Sequence, residues 1–484
     1  MSIVHFYSDL GYEQIKNIEK KYNDSDSEYL IKKASDYICK IITSTKSSQN
    51  KFLFICGPGS NGLDGVFAAN QLLSLGYDIK ILYANNNNNF SYLERLRLNE
   101  YLVTSFLPNE FDCIVDCIYG YGFNRDLDEE QINLVNQINL SGAYIFSIDI
   151  PSGLSPTTGR SCPTSVKCNT LISLVTYKRG TFTNEGRDTW NEIYFSNLVD
   201  DQLISKNYLI SASDTYDSFN FSKNYTNDES FSQHKKSRGV SCVISGEQPY
   251  HGAMILSVTA LIKLGCQYLH VYTDKEYAHT LPMIIPEVIS SSFSLPDFKL
   301  RFKKFSNILL GPGTDKITIK YLQHITDNLN CINSLVVDAG ALKFLKKGYS
   351  YSNKLIITPH PGEAAELLNI TSKDVQNNRY EAARLLNKMF DCIVILKGSG
   401  TIIYDGKSFF TCMDGNYRMA VAGMGDTLSG ILLYELSSNT NALDACIKAV
   451  TFHSYSADHL MKASKKIKFM PSMIPEVYNE LVNP

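Results

Sequence analysis

The chain has 484 residues, 44% of them hydrophobic and 20% charged, with a formal net charge of -3. That composition is ordinary for a globular protein and excludes a disordered or fibrous chain, and at about 150 residues per domain the length supports two or three cores. The small net charge supplies no broad attraction for nucleic acid or an anionic membrane surface, so neither is expected as a partner.

The opening segment, MSIVHFYSDLGYEQIKNIEKKY, lacks the apolar centre of a secretory signal. No run of about 18 apolar residues follows, so the expected location is the cytoplasm. From Lys51 the chain reads strand, loop, helix, strand: an apolar run FLFIC (52–56), a glycine-rich turn GPGSNGLDG (57–65), an amphipathic stretch to Leu75 and a second apolar run at 77–83. Further apolar runs at 113–118, 144–150 and 171–177 are spaced by helix-length segments. The fold expected for residues 1–210 is a Rossmann-like three-layer α/β domain. The tract NNNNN (85–89) reads as a surface loop.

Four strand-end turns carry polar groups: GPGSNGLDG, DCIYGYGFNRDL (116–127), IDIPSG (148–153) and TYKRG (176–180). Turns at the carboxyl ends of parallel strands gather at one edge, so their Asn, Asp, Ser and Lys side chains are expected to line one pocket. A single glycine-rich turn points only to phosphate binding, and a purely structural turn is an equally good reading of it.

Residues 211–234 are polar and read as an interdomain linker, or else as an irregular arm packed on one domain. Apolar runs resume at 240–244, 268–272, 307–310, 335–337, 355–357 and 392–396, and two long helical patterns begin near Gly425 and Leu443. Residues 235–484 are therefore expected to form a second parallel-sheet α/β domain. The twelve cysteines lie mostly in apolar runs with no Cys-x-x-Cys pair, and the histidines lack metal-ligand spacing, so reduced thiols and no structural zinc are expected. His453 and His459 read as packing or surface residues on one helix.

In this second half, TPHPGEAAEL (358–367) and KGSGT (397–401) each leave an apolar strand, and NYRMAVAG (416–423) leads into GMGDTLSG (423–430). Glycines directly before a helix expose backbone N–H groups at the positive end of its dipole, which suits a phosphate or charge developing in phosphoryl transfer. Asp426 stands at that helix start, either as a cap or as the base that takes the proton of an attacking hydroxyl.

On these motifs, with KKSRGVSCVISG (235–246), YHGA (250–253), GPG (311–313) and VVDAGAL (336–342), residues 235–484 resemble the ADP/ATP-dependent NAD(P)H-hydrate dehydratases of the ribokinase-like superfamily. The resemblance implies that Ala253, Gly313, His360 and Asp426 contact the hydrated nicotinamide nucleotide. It implies that Lys397, Gly398, Ser399, Gly400, Thr401 and Gly425 hold ADP or ATP, with Mg²⁺, and that Asp426 is catalytic. The chain departs from the family pattern at Gly340, at Ser245, Gly246 and Glu247, and at Asp315.

Residues 1–210 resemble the NAD(P)H-hydrate epimerase domain. That likeness implies K⁺ held by Asn61, Asp116 and Ser152, oxygen donors that suit a large hard cation. It also implies a nucleotide site lined by Asn61, Gly62, Asp64, Gly65, Gly120 and Asp126, with Asp149 at the reacting ring and Lys178 beside it as the catalytic pair. Departures here are Ser60, Leu63 and Tyr121. Together the halves imply a bifunctional repair enzyme acting on NADHX and NADPHX, epimerising C6 of the hydrated ring and dehydrating the S epimer. A homo-oligomer is expected. The alternative is a vitamin-precursor kinase of the ribokinase-like superfamily with a noncatalytic N-terminal binding module.

Overall fold

The structure, a computed structural model, describes residues 2–23, 28–84, 90–199, 205–213, 221–225, 239–351, 354–438, 441–463 and 470–482. The asparagine tract (85–89), most of the stretch 211–234 and the first residues of KKSRGVSCVISG lie outside them. Tyr7–Asn207 forms one compact unit; Met1–Phe6, Tyr208–Ser213 and Phe221–Pro484 form the other.

In the first unit seven strands pair in the order Leu102–Val103, Asp78–Tyr83, Lys51–Cys56, Cys113–Cys117, Tyr144–Ile148, Cys168–Leu174 and Trp190–Ser196, every neighbour parallel. Counted along the chain, the strand order reverses between Lys51–Cys56 and Cys113–Cys117, the crevice where open α/β sheets bind ligands. Alternation explains the near-continuous apolar strands: Phe52, Phe54, Cys113 and Val115 pack with Ile38, Ile42, Val66 and Ala69 of the helices Tyr29–Thr45 and Ser60–Ser74. The intervening Leu53, Ile55 and Ile114 are fully buried as well, so both faces are covered.

The second unit is built on twelve strands. Its central part runs Ile393–Leu396, Leu355–Ile357, Ser334–Val337, Asn307–Leu310, Ser241–Ile244, Leu269–Thr273 and Ile289–Ser292, all parallel. Here the order reverses between Asn307–Leu310 and Ser241–Ile244. Val243, Val271, Leu309, Val336 and Ile356 belong to one core cluster with the helices His251–Lys263, Met424–Ser438 and Ala442–Ala463. Ile244, Tyr272, Leu310, Val337 and Ile357 belong to the cluster on the opposite face. The two three-layer α/β folds expected from the sequence are formed.

The flank of this sheet departs from the linear reading. Ile402–Tyr404 and Phe409–Cys412 continue it as antiparallel strands, Tyr208–Ser211 adds parallel to Phe409–Cys412, and Ser2–Ser8 and Phe221–Tyr225 follow as an antiparallel pair. The start of the chain thus lies in the second unit's sheet, and part of the stretch read as linker is a strand. The physical reason is apolar burial: Val4, Phe6 and Ile210 join Phe410 and Cys412 in one cluster, and Asp414 accepts from Ser211 Oγ at 2.5 Å and from the Ala212 N–H at 2.7 Å. All twelve cysteines are free; His453 is buried and His459 exposed, as the sequence suggested. Among the described residues no helix is long and apolar enough to cross a membrane.

Candidate active sites

In the first unit a cavity of about 430 Å³ opens at the strand-order reversal, lined by Asn61, Asp64, Gly120, Asp149 and Lys178 together with Tyr12, Glu19 and Arg125. Asp149 leaves strand Tyr144–Ile148 with φ +70, and the Ile150 N–H donates across it to the Ile148 carbonyl at 2.8 Å. Val175 repeats this at the end of the next strand, with φ +66 and the Thr176 N–H on the Leu174 carbonyl. Positive φ is uncommon for aspartate and an outlier for a β-branched residue, so both strand ends are held against local preference by their surroundings. The two tight turns bring Lys178 Nζ onto Asp149 Oδ1, while Nζ also donates to the Leu174 carbonyl at 2.6 Å. The other oxygen of Asp149 accepts the Tyr121 N–H at 2.9 Å. Burial, reinforced by the negative charges of Asp149 and Glu19, pushes the Asp64 carboxyl well above the usual carboxylate range.

Asp116, on the strand Cys113–Cys117, is fully buried. Its oxygens accept from Ser152 Oγ (2.6 Å), the Ser152 N–H (2.9 Å) and Ser147 Oγ (2.9 Å), and burial still raises its carboxyl. Asn61 donates its amide to the Tyr119 and Ile148 carbonyls, which leaves its buried Oδ1 without a partner. The Tyr119 N–H donates to Ser152 Oγ at 3.0 Å, so Asn61, Ser152 and Asp116 are tied through one residue.

Three residues of the expected nucleotide site stand elsewhere. A Cβ on Gly62 would lie 1.9 Å from the Gly57 carbonyl, and one on Gly65 would lie 2.6 Å from Cys117 Sγ, so Gly62 admits the helix against the preceding turn, Gly65 admits it against the sheet, and neither lines the cavity. Asp126 is exposed and outside the lining. Among the departures, Leu63 does not line the cavity, and Tyr121 does so with its ring packed on Leu10 and Ile15 and its hydroxyl on the Leu10 carbonyl.

In the second unit the residues converge at the carboxyl ends of the parallel strands. Lys397 follows Ile393–Leu396, and its Nζ lies 2.7 Å from Asp338 Oδ1 and 3.9 Å from Glu363 Oε2. Asp338 also accepts from Ser429 Oγ at 2.6 Å; burial opposes its charge, but Lys397 and Ser429 outweigh burial and hold the carboxyl below the ordinary range. Gly425 closes over this group: a Cβ there would sit 3.2 Å from Lys397 Nζ. Asp426 is half-buried in the first turn of Met424–Ser438, and burial, then the charge of Asp338, raise its carboxyl from 3.8 to about 6. Ser257 Oγ lies 2.9 Å from the Ala253 carbonyl and 3.0 Å from the Asp426 carbonyl, which places the starts of two helices side by side. Gly313, at φ +59, abuts Tyr250 and Ala253. His360 Nδ1 accepts the Gly362 N–H at 3.0 Å and caps the helix Pro361–Leu368. Ser399, Gly400 and Thr401 continue from Lys397 in the same partly exposed turn.

The sequence departures in this unit meet one another. Ser245 Oγ donates to the Pro312 carbonyl at 2.5 Å, Glu247 Oε2 accepts the Asp315 N–H at 2.7 Å, and a Cβ on Gly340 would lie 1.8 Å from the Thr314 carbonyl. Glycine at 340 is therefore required by the neighbouring turn. Glu19, Ser147, Tyr119, Ser257 and Ser429 were not among the sequence candidates. Nothing in their local pattern separates them from packing residues, because only the fold brings them to the sites.

Two family models match the chain: one described as NAD(P)H-hydrate dehydratase over residues 241–477, the other as YjeF-related protein N-terminus over 27–180. The bifunctional NAD(P)H-hydrate repair enzyme Nnr of Vibrio cholerae is 29% identical, over 99% of this chain and 98% of its own length. The chain belongs to the family of bifunctional NAD(P)H-hydrate repair enzymes. Another member, from Coxiella burnetii, is 27% identical over 97% of this chain and 98% of its own. Among solved structures, the ADP/ATP-dependent NAD(P)H-hydrate dehydratase from Bacillus subtilis aligns with 53% of this chain and 93% of its own at 22% identity and a TM-score of 0.46. Likeness to repair enzymes through both units removes the alternative of a vitamin-precursor kinase with a noncatalytic N-terminal module.

Proposed function

We propose that the first unit epimerises NADHX and NADPHX at C6 and the second converts the S epimer back to NAD(P)H at the expense of ADP or ATP. The observation that carries this reading is the convergence of Gly425 on Lys397 Nζ, with Lys397 on the buried Asp338 and Asp426 next in the same helix turn, its carboxyl raised to about 6 by burial. A base poised just below neutral pH is suited to accept a hydroxyl proton under cellular conditions. Asp426 takes the proton of the C6 hydroxyl as its oxygen attacks the terminal phosphorus of the nucleotide, breaking that phosphorus's bond to the bridging oxygen so that AMP leaves from ADP, or ADP from ATP. The N–H groups at the start of Met424–Ser438 offset the charge that develops there. The ring nitrogen lone pair then expels phosphate from C6, and loss of a proton from C5 forms the C5=C6 double bond of NAD(P)H. The turn 397–401 and Gly425 hold the nucleotide, and Ala253, Gly313 and His360 border the hydrated ring. Mg²⁺ supplies charge neutralisation on the nucleotide phosphates.

In the first unit, Asp149 and Lys178 give acid-base help as a bond at C6 breaks and re-forms, with Asp64, Asn61 and Gly120 around the substrate. The unpartnered Asn61 Oδ1 and the buried Asp116 carboxylate, which burial raises despite its hydrogen bonds, fit K⁺ with Ser152 as oxygen donors of mixed charge. When bound, the ion neutralises negative charge beside the cofactor phosphates. A cytoplasmic homo-oligomer remains part of the proposal.

The assignment is tested by splitting the activities. Asp426→Asn is expected to abolish NAD(P)H formation while adenine nucleotide binding and epimer interconversion persist. Asp149→Asn is expected to stop a mixture of epimers once the S form is consumed. Near wild-type repair by Asp426→Asn would exclude Asp426 as the base.

A further inference from the structure

Arg379 is 2% exposed, at the first position of the helix Arg379–Phe390. Its Nη1 donates to the Ser399 carbonyl at 2.5 Å, and its Nη2 donates to the carbonyls of Leu396 at 3.1 Å and Lys397 at 3.2 Å. Nη2 also lies 3.0 Å from where a Cβ on Gly398 would stand, and Gly398 has φ +140. The guanidinium therefore fills the back of the turn 397–401, and the unusual backbone of that turn is moulded around it.

Three features make this an expensive way to brace a loop. No carboxylate of the described residues pairs with Arg379, and its buried Nε has no partner. A buried cation without a counter-charge carries a large desolvation cost, visible in a guanidinium lowered from 12.5 to about 10 by burial. It also sits at the positive end of its own helix dipole, where a cation is disfavoured. A neutral donor would satisfy carbonyl oxygens without these costs. What only the cation supplies is positive potential transmitted through a single layer of backbone to the opposite face of the turn.

We propose that Arg379 is a positioning residue whose counter-charge is the phosphate of the bound nucleotide, held across the turn 397–401. The inference rests on the reading of that turn as the nucleotide loop and adds a residue that makes no contact with the nucleotide itself. Lys397, drawn to Asp338 and Glu363, is largely neutralised by them. Arg379 is the cation of this turn whose charge is left for the ligand.

The test is calorimetric titration of the full chain with ADP. Arg379→Gln, which keeps donors but removes the charge, is expected to weaken ADP binding tenfold or more. Arg379→Lys is expected to stay within threefold of the wild type near pH 7. Because a buried ammonium titrates more readily than a guanidinium, ADP affinity of Arg379→Lys is expected to fall on raising the pH from 7 to 10 beyond any change in the wild type. Equal weakening by both substitutions, or wild-type affinity in Arg379→Gln, would overturn the electrostatic role. If Arg379→Gln does not fold, the pH dependence of Arg379→Lys decides, and curves parallel to the wild type reject the proposal. Failure of the wild-type chain to bind ADP or ATP would instead remove the nucleotide-loop reading.

Discussion

Single side chains set both chemistries by where their charge is allowed to persist. Asp426 has its carboxyl raised from 3.8 to about 6, chiefly by burial. The shift is a stability cost, absent below the unfolded value and fully present above about 6, as expected of a group kept for reaction and not for folding. As a base it must be ionised, so dehydration at saturating substrate is expected to fall about tenfold per pH unit below 6. A flat rate between pH 4.5 and 7 would argue against proton transfer to this residue. In the first unit, Asp116→Ala removes the single formal charge among the proposed K⁺ donors. Epimerisation is then expected to lose its preference for K⁺ over Li⁺, read by chromatography of the two epimers. Motif residues with a distinctive chemical type, such as Asp149, Lys178 and Asp426, were legible in sequence. Gly62 and Gly65 were not separable from ligand-approach glycines, because a glycine needed where a helix meets a turn or a sheet has the same signature. Arg379 was illegible for the opposite reason: a lone arginine at a helix start reads as surface.

Among the elements, three helices that support Asp426 are bound through buried charge. Glu435 on Met424–Ser438 accepts from Tyr478 on Ile474–Val482 at 2.7 Å and pairs with Lys448 on Ala442–Ala463 at 3.2 Å, with all three side chains essentially inaccessible. Removing one partner strands the other charge, so Glu435→Ala is expected to cost about 3–5 kcal/mol of stability. Urea denaturation followed by far-UV circular dichroism measures it, and the double change Glu435→Leu with Lys448→Met should recover much of the loss. Equal stability of Glu435→Ala and wild type would show that the pair is solvated. Strands such as Lys51–Cys56 and Ser241–Ile244 were readable because both faces are buried and the apolar run is unbroken. Leu102–Val103, Ile289–Ser292 and Phe221–Tyr225 were missed because short edge strands need few apolar residues, and their pairing is fixed by neighbours far along the chain.

At the scale of the whole molecule, the division of the chain is not the division of its sequence. A fragment of residues 228–484 lacks Ser2–Ser8, Tyr208–Ser211 and Phe221–Tyr225, which exposes the edge of Phe409–Cys412 and the apolar surface covered by Val4, Phe6 and Ile210. Size-exclusion chromatography is expected to show that fragment aggregating, while residues 7–207 elute as a folded species that interconverts epimers. A stable, monodisperse 228–484 would show that the flanking strands are dispensable.

The central claim is that one chain carries both halves of the repair. Its most direct measurement is the absorbance of NAD(P)H regenerated from an equal mixture of the R and S hydrates by the full chain with ADP or ATP, in K⁺. Complete conversion of the mixture is the predicted result. Arrest at half conversion would contradict the epimerase, and the absence of any regenerated cofactor would contradict the account as a whole.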